Sequence, residues 1–392
     1  MTGPGARRWT AQGLATVLGL ALLALAWRAD QAWFDRHFLP VFFVSWRLYR
    51  LGETGARGVV ALAGLAVIFW AGPALGRWTR RTTPGAMAVD LARMVLALLL
   101  AAGLCEAGLR LAFPRATEAP QPGVEPLRQA DPRLGWTFVP ARTAHQAVHG
   151  GIVDYAFDDN GLRVAELDRP VDFAKPSILF AGESIAAGAG LDWDRTFAAE
   201  TAVALGLQPA NLAVFAYSDD QTYLKLTGVL PRFERPRAVV ILTSPGLMFR
   251  DLEVERPHLG PQLHWRPAEH GPRLLALLRL FVPYHSTAAI AAMQAKVRAE
   301  LTEEVRQVRA RQAEPLILVP RFGPEDPREA ALRRTVLAGL PVLQVQLDPA
   351  WRQPRDPHPD ARGARAIADA LALRLKAPLS PARDARAPWP PN

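Results

Sequence analysis

Residues Ser177 to Gly190 read SILFAGESIAAGAG. An apolar run of strand character ends at Gly182, a serine follows two residues later, and small residues with two more glycines come next. A short apolar run bounded by glycine reads as a buried strand. The small residues after it read as a tight turn into a helix. Ser184 then stands just past a strand end and just before a helix start, where backbone amides can face developing negative charge. Taken alone, Gly-x-Ser reads equally as a small residue in a tight loop.

The surrounding chain alternates. Strand-like runs occur at Ser177–Phe180, Ala210–Phe215, Ala238–Thr243, Leu316–Val319 and Val342–Gln346. Helical patterns lie between and after them, at about 195–206, 219–230, 272–311, 327–338 and 362–376. This alternation predicts an α/β fold, a three-layer arrangement with a parallel sheet and helices on both faces. In such a sheet, sites form at the carboxyl ends of the strands, which is where Ser184 stands.

The first 113 residues read differently. Two runs carry no charge over about a bilayer thickness. They lie between Arg8 and Arg28 and between Arg57 and Arg77. A third, Met94 to Phe113, is apolar but carries Glu106 and Arg110, four residues apart on one helix face and able to pair. The expected spans are about 10–27, 58–76 and 92–113. The aromatic run His37 to Trp46 is too short to span and reads as interfacial or packed. Arg7 and Arg8 precede the first span, and Arg77, Arg80 and Arg81 lie between the second and third. The positive-inside rule places both groups in the cytoplasm. The third span then exports everything after Phe113. The alternative, a signal peptide cleaved after Ala24-Leu-Ala26, leaves the C-terminal part on the same side. The expected division is a membrane domain (1–113), a Pro-rich linker (114–132), a catalytic-type domain (133–376) and a disordered tail (377–392). The membrane is the inner or cytoplasmic one, with the C-terminal domain periplasmic if the cell is Gram-negative. The lipid bilayer is thus one expected partner.

The chain has 392 residues, net charge +9 and 50% hydrophobic residues. The positive charge is scattered among acids, with no basic stripe interleaved with aromatics, so nucleic acid is not an expected partner. Cys105 is the only cysteine, which excludes an intramolecular disulfide, and its apolar run makes it a packing residue. His145 and His149 are four apart but lack an acid to complete a metal site. His258, His264 and His270 fall in a Pro-rich loop, and His285 falls in a helical region as a packing residue. No metal or organic cofactor is expected.

His358 differs from these. It stands in RDPHPDARGARAIADALAL, two residues after Asp356, between Pro357 and Pro359, with a helix following. In extended backbone, residues two apart point to the same side. The Asp356 carboxylate can therefore fix the tautomer of the imidazole. A serine needs such a base, and the base such an orienter.

With these residues in place, the chain from about Asp131 to Leu375 resembles the SGNH (GDSL-like) hydrolase superfamily. Gly182-Glu-Ser184 with Gly188 resembles its first block, usually Gly-Asp-Ser-x-x-x-Gly. Asn211 to Ala216, followed by Tyr217, Ser218 and Gln221, resembles the second. Asp356-Pro-His358-Pro, then Gly363 and Ala368, resembles the last. Leu134-Gly-Trp136 and Asn160-Gly-Leu-Arg163 resemble segments that precede the nucleophile in membrane-anchored relatives, as does a last span ending in Glu-x-x-x-Arg. The resemblance implies an SGNH/flavodoxin-like sheet with Ser184 as nucleophile, His358 as base and Asp356 as orienter. It also implies an oxyanion held by the amides of Ser184 and Ala216 and by a third-block Asn.

The chain departs from that pattern in four places. Glu183 replaces Asp. Ala216 replaces Gly, which matters if the position needs positive φ. Gly246 stands where the third-block Asn is expected, with Leu247 where Asp often follows; loss of one oxyanion donor costs on the order of 10²–10³ in kcat. Asp-x-His replaces Asp-x-x-His, and resembles the periplasmic polysaccharide O-acetyltransferase branch. The expected function is a membrane-anchored extracytoplasmic serine esterase or O-acyltransferase acting on acylated glycan or lipid. The alternative is a catalytically impaired SGNH-like fold used for binding or assembly. The topology predicts that a reporter fused after residue 380 is active only outside the cytoplasm; activity inside would reverse the orientation.

Overall fold

The computed structural model describes residues 4–42, 44, 46–112, 127–148 and 151–379. Its contacts divide the chain into two units. The first comprises Met1–Leu39, Val44–Phe113 and Gly271–Thr287; the second comprises Pro40–Phe43, Pro114–His270 and Ala288–Asn392.

Apolar sequence makes the first unit helical: α1 (Pro4–Arg28), α2 (Gln31–His37), α3 (Trp46–Ala66), a π turn at Val67–Ala71, α4 (Gly72–Arg81) and α5 (Pro84–Ala112). Three stretches are long and apolar enough to cross a membrane: Trp9–Arg28, Arg47–Arg81 and Pro84–Ala112. The second is longer than charge-free sequence suggested, because α3, the π turn and α4 run on without a break. α1 packs on α3 and α4 through glycine. A Cβ at Gly19 would lie 2.7 Å from the Gly64 carbonyl oxygen, and one at Gly64 2.8 Å from that of Gly19. Backbone meets backbone there, as in helix pairs that associate in lipid. The expected Arg110–Glu106 pair is present at 2.8 Å.

The second unit begins with a hairpin of β1 (Arg128–Asp131) and β2 (Gly135–Phe138), followed by β3 (Arg142–Val148), β4 (Gly151–Phe157) and β5 (Arg163–Val164). Next come β6 (Ser177–Ala181), α6 (Ser184–Ala187), α7 (Phe197–Leu205), β7 (Gln208–Asn211), α8 (Asp219–Val229), β8 (Pro236–Leu242), and the short pair β9 (His258–Leu259) and β10 (Trp265–Arg266). After α9 (Arg273–Phe281), whose residues group with the first unit, follow α10 (Thr287–Ala310), β11 (Glu314–Phe322), α11 (Pro327–Leu337), β12 (Val342–Leu347) and α12 (Ala361–Leu379).

The main sheet has eight strands in the order β12-β11-β8-β6-β7-β5-β4-β3. The five from β12 to β7 are parallel to their neighbours. Numbered along the chain, their order is 2-1-3-4-5, the flavodoxin-like doubly wound order. They correspond to the five strands expected from sequence, except that the second is Gln208–Asn211 and Leu212–Phe215 continues as a loop. β5, β4 and β3 extend the sheet with antiparallel pairing and were not read. In β3 and β4 buried and exposed residues mix, so they form no continuous apolar run. The helical pattern 272–311 is two helices, separated at 282–286 around Pro283, which cannot continue the backbone ladder.

α7 and α12 pack together on the sheet, with Ile367, Leu371 and Leu375 fully buried and Phe180 edge-on to Phe197 at 5.7 Å. α10 lies beside α8, through Lys296 and Asp220, and beside α11, through Arg298 donating to the Val336 carbonyl. The strand order reverses at β6. The crevice expected at such a switch point therefore opens where β6 ends, and Ser184 follows within three residues.

Candidate active site

The turn after β6 has little freedom. Gly182 takes φ +145°, and a Cβ there would stand 2.9 Å from the Leu242 Cβ. Glu183 caps the short helix α6: one carboxylate oxygen accepts from the Ile185 amide at 2.9 Å. Its other oxygen accepts the Ser184 hydroxyl and pairs with Arg250 at 3.3 Å. Gly188 closes α6 at φ +74°, and a Cβ there would press on Thr196 and on the Arg163 guanidinium.

Arg163 holds the same turn from beneath. It is fully buried and donates to the carbonyls of Ala187 (2.6 Å), Gly188 (2.7 Å) and Leu191 (2.6 Å). Its guanidinium lies 4.2 Å over the Tyr155 ring. Burial pulls the guanidinium down to about 10, still charged at neutral pH. Three carbonyls from the loop that follows Ser184 converge on it, so it fixes where that loop turns.

Sequence places His358 far from Ser184; the fold brings them together. His358 Nε2 lies 2.7 Å from Ser184 Oγ. His358 Nδ1 lies 2.5 Å from Asp356 Oδ1, which also accepts the His358 amide at 2.8 Å. The Asp-x-His spacing thus lets one carboxylate oxygen bind both ring and backbone of the histidine. Gln353, which sequence reading missed, ties this loop to the one that follows Ser184. Its side-chain amide donates to the carbonyls of Ala189 (2.7 Å) and Pro359 (3.0 Å), and its backbone amide to the His358 carbonyl (2.9 Å). Gly190 gives it room: a Cβ there would lie 2.0 Å from the Gln353 side-chain oxygen Oε1.

The second-block loop lies beside this turn. The Val214 amide donates to the Gly182 carbonyl at 3.2 Å, and Arg250 reaches both Glu183 and the Tyr217 carbonyl (3.1 Å). Ala216 does take positive φ, +64°, the conformation its usual glycine adopts freely. Arg256 holds its carbonyl at 2.7 Å. The Leu134-Gly-Trp136 segment underpins the loop. Gln221 donates to the Leu134 carbonyl (2.6 Å), Trp136 Nε1 to the Phe215 carbonyl (2.9 Å), and the Tyr217 hydroxyl to the Trp136 carbonyl (2.7 Å).

Gly246 has a neighbour that sequence did not suggest. Its carbonyl accepts the Phe42 amide at 2.8 Å. A Cβ at 246 would stand 2.6 Å and 2.7 Å from the Phe42 backbone N and Cα. Phe42, in the Pro40–Phe43 piece that groups with this unit, is buried and packs on Phe322 at 5.8 Å. An asparagine has no space here while residue 42 is in place. The missing third-block side chain and the inserted phenylalanine are two sides of one packing arrangement.

His145 bonds its cross-strand partner Asp154 at 2.6 Å, and His149 lies outside the described residues. His285 sits in the break between α9 and α10 rather than in a helix. A buried acidic group lies under the second-block loop. Carboxylate oxygens of Asp220, Asp251 and Glu300 come within 4.8 Å of one another, a spacing that suits a cation. Lys296 already supplies positive charge, 2.6 Å from Asp220. Asp220 also accepts the Leu259 amide at 3.0 Å, and Asp251 accepts the Asp220 amide at 3.2 Å. Burial, then the Asp220 charge, pushes Asp251 up to about 6 and Glu300 well above the usual carboxylate range.

No family model and no curated protein matches the chain. Solved structures do. Its structural neighbours are GDSL/SGNH esterases and acyltransferases. One is a carbohydrate esterase whose active site displays divergent catalytic and non-catalytic binding functions, at 15% identity over 61% of this chain and 86% of that one, TM-score 0.36. Another is a putative lipolytic protein of the G-D-S-L family from Desulfitobacterium hafniense DCB-2, at 11% identity over 51% and 98%, TM-score 0.33. A third is a salicylyl-acyltransferase from a tetracycline biosynthetic pathway, at 17% over 53% and 57%, TM-score 0.31.

The raised carboxyls set a pH dependence. A carboxyl whose folded pKa exceeds its unfolded value keeps a proton that the unfolded chain has lost, so stability falls as pH rises between the two. For Asp251 that window runs from 3.8 to about 6; for Glu300 it extends higher. In the detergent-solubilised full chain, Glu300→Gln should flatten the fall in Tm with pH and leave Tm at pH 8 equal or higher. A Tm at pH 8 well below wild type would show that an ionised, paired Glu300 supports the fold.

Proposed function

We propose that the protein is a membrane-anchored serine esterase or O-acyltransferase, its second unit outside the cytoplasm. The observation that carries this is the continuous hydrogen-bonded line Asp356–His358–Ser184, 2.5 Å and 2.7 Å long at its two links. Asp356 accepts from Nδ1–H, which leaves Nε2 with a lone pair facing the serine hydroxyl. Ser184 Oγ attacks the ester carbonyl carbon as its proton passes to Nε2. The tetrahedral oxyanion is held by the Ser184 and Ala216 amides. The imidazolium then protonates the departing alcohol, which leaves an acyl-serine. Water or an acceptor hydroxyl, deprotonated by His358, takes the acyl group and returns the proton to Ser184.

The serine proton has two possible acceptors, His358 and Glu183. Arg250 shares the Glu183 oxygen, and only transfer to Nε2 starts the chemistry. Gly246 supplies no side-chain donor in this scheme. It provides the space through which residue 42 passes. The substrate class we assign is an acyl ester on an envelope glycan or lipid, on the strength of the spanning helices and the positive-inside charge pattern.

A second reading, a binding module that has lost catalysis, draws on the absent Asn donor at Gly246. The two readings separate in one experiment on the full-length protein in nanodiscs. A fluorophosphonate probe should label wild type, should not label Ser184→Ala, and should label His358→Ala at least about 10³-fold more slowly. A folded wild-type chain that takes no label would support the binding module.

A further inference from the structure

We propose that Gly271–Thr287 is a membrane-interface segment, with α9 lying in the headgroup boundary of the bilayer and its outer face against lipid. The sequence of α9, RLLALLRLF, is amphipathic only in part. Arg273, Leu274, Ala276 and Leu277 are half-buried, and the helix packs on α5. The C-terminal half leaves Leu278, Leu280, Phe281 and the following Val282 exposed by 54–78%. An apolar patch of this kind on a water-facing surface marks an interaction site. Nine residues are too few to cross a bilayer, but enough to lie along its surface.

Two anchors choose lipid as the occupant. At one end, the Leu274 amide in the first turn of α9 donates to Glu106 Oε2 at 2.8 Å. The other Glu106 oxygen takes Arg110 at 2.8 Å. An acid in the last turns of an apolar spanning helix thus serves as the cap of α9. At the other end, His285 and His37 exchange hydrogen bonds: the His285 amide to the His37 carbonyl (2.9 Å), and His37 Nδ1 with the His285 carbonyl (3.0 Å). Tyr284 stacks on His37 at 4.9 Å and on Trp33 at 6.0 Å. α2, which carries Trp33 and His37, directly follows α1.

The segment therefore touches α2, which directly follows the first span, and the last turns of the third. The charge pattern of the loops puts those two ends on one side of the membrane, opposite Arg7, Arg8 and the arginines at 77–81. A helix fixed at both levels lies at the boundary, where Trp and Tyr rings concentrate. Arg273 and Arg279 can reach the headgroups with their stems along apolar surface. This assignment is independent of any catalytic reading.

The test uses the full chain with Cys105→Ser. Single cysteines replace Leu278, Phe281 or, as a control, the 83%-exposed Val203 of α7, and each carries an environment-sensitive NBD label. In nanodiscs of phosphatidylethanolamine and phosphatidylglycerol, labels at 278 and 281 should emit to the blue of 203. Lipids with a nitroxide near the headgroup should quench them several-fold more. Emission and quenching equal to those at 203 would overturn the assignment. So would a blue shift that lipid nitroxides do not quench and that fades on dilution, which would give the face to a second copy of the chain.

Discussion

The hydrogen bond between Ser184 and His358 is the contact on which the proposed chemistry depends. Its partners stand 174 positions apart, on loops that no continuous element joins. An error of an ångström in either loop would disconnect them. The fold answers this with buried polar clamps rather than with packing alone. Arg163 gathers three carbonyls behind Ser184, and Gln353 ties the Ser184 loop to the His358 loop. Fully buried groups of this kind are costly unless satisfied, and they specify one arrangement when they are. The glycines at 188 and 190 are there because the clamps occupy the space a side chain would need.

The same logic accounts for the departures around the site. Glu183 is one methylene longer than the usual Asp and uses both oxygens, one on the Ile185 amide and one shared by Ser184 and Arg250. Ala216 carries a left-handed backbone that glycine would adopt without strain, and Arg256 holds it there. At 246 the chain has given up a side chain so that residue 42 can pass. A segment from the N-terminal sequence is thereby built into the sheet's carboxyl end, next to β8 and β11.

Much of this was legible in the residues. The five parallel strands announced themselves as buried apolar runs, and Ser184 and the Asp356–His358 pair lay in short motifs whose spacing suggests chemistry. The Glu106–Arg110 pair followed from helical spacing. What sequence did not show depends on long-range geometry. β3 and β4 mix buried and exposed positions and β5 is only two residues long, so they gave no run to find. Gln353 looks like any polar loop residue until the fold sets it against Ala189. Glu106 gave its ion pair away but not its role as the cap of α9, because Leu274 lies 168 positions further on. The aromatic run around Phe42 reads as interfacial or packed; only the fold puts its backbone against Gly246.

The central claim is that Ser184 becomes acylated. It is tested most directly by quenching full-length protein with acid during turnover of p-nitrophenyl acetate and mapping the adduct by peptide mass spectrometry. The account predicts one acetyl group on the peptide containing Ser184, accumulating in wild type and absent when His358 is alanine. Folded wild-type protein that releases p-nitrophenol no faster than buffer, or that carries the acetyl group on another residue, would contradict it.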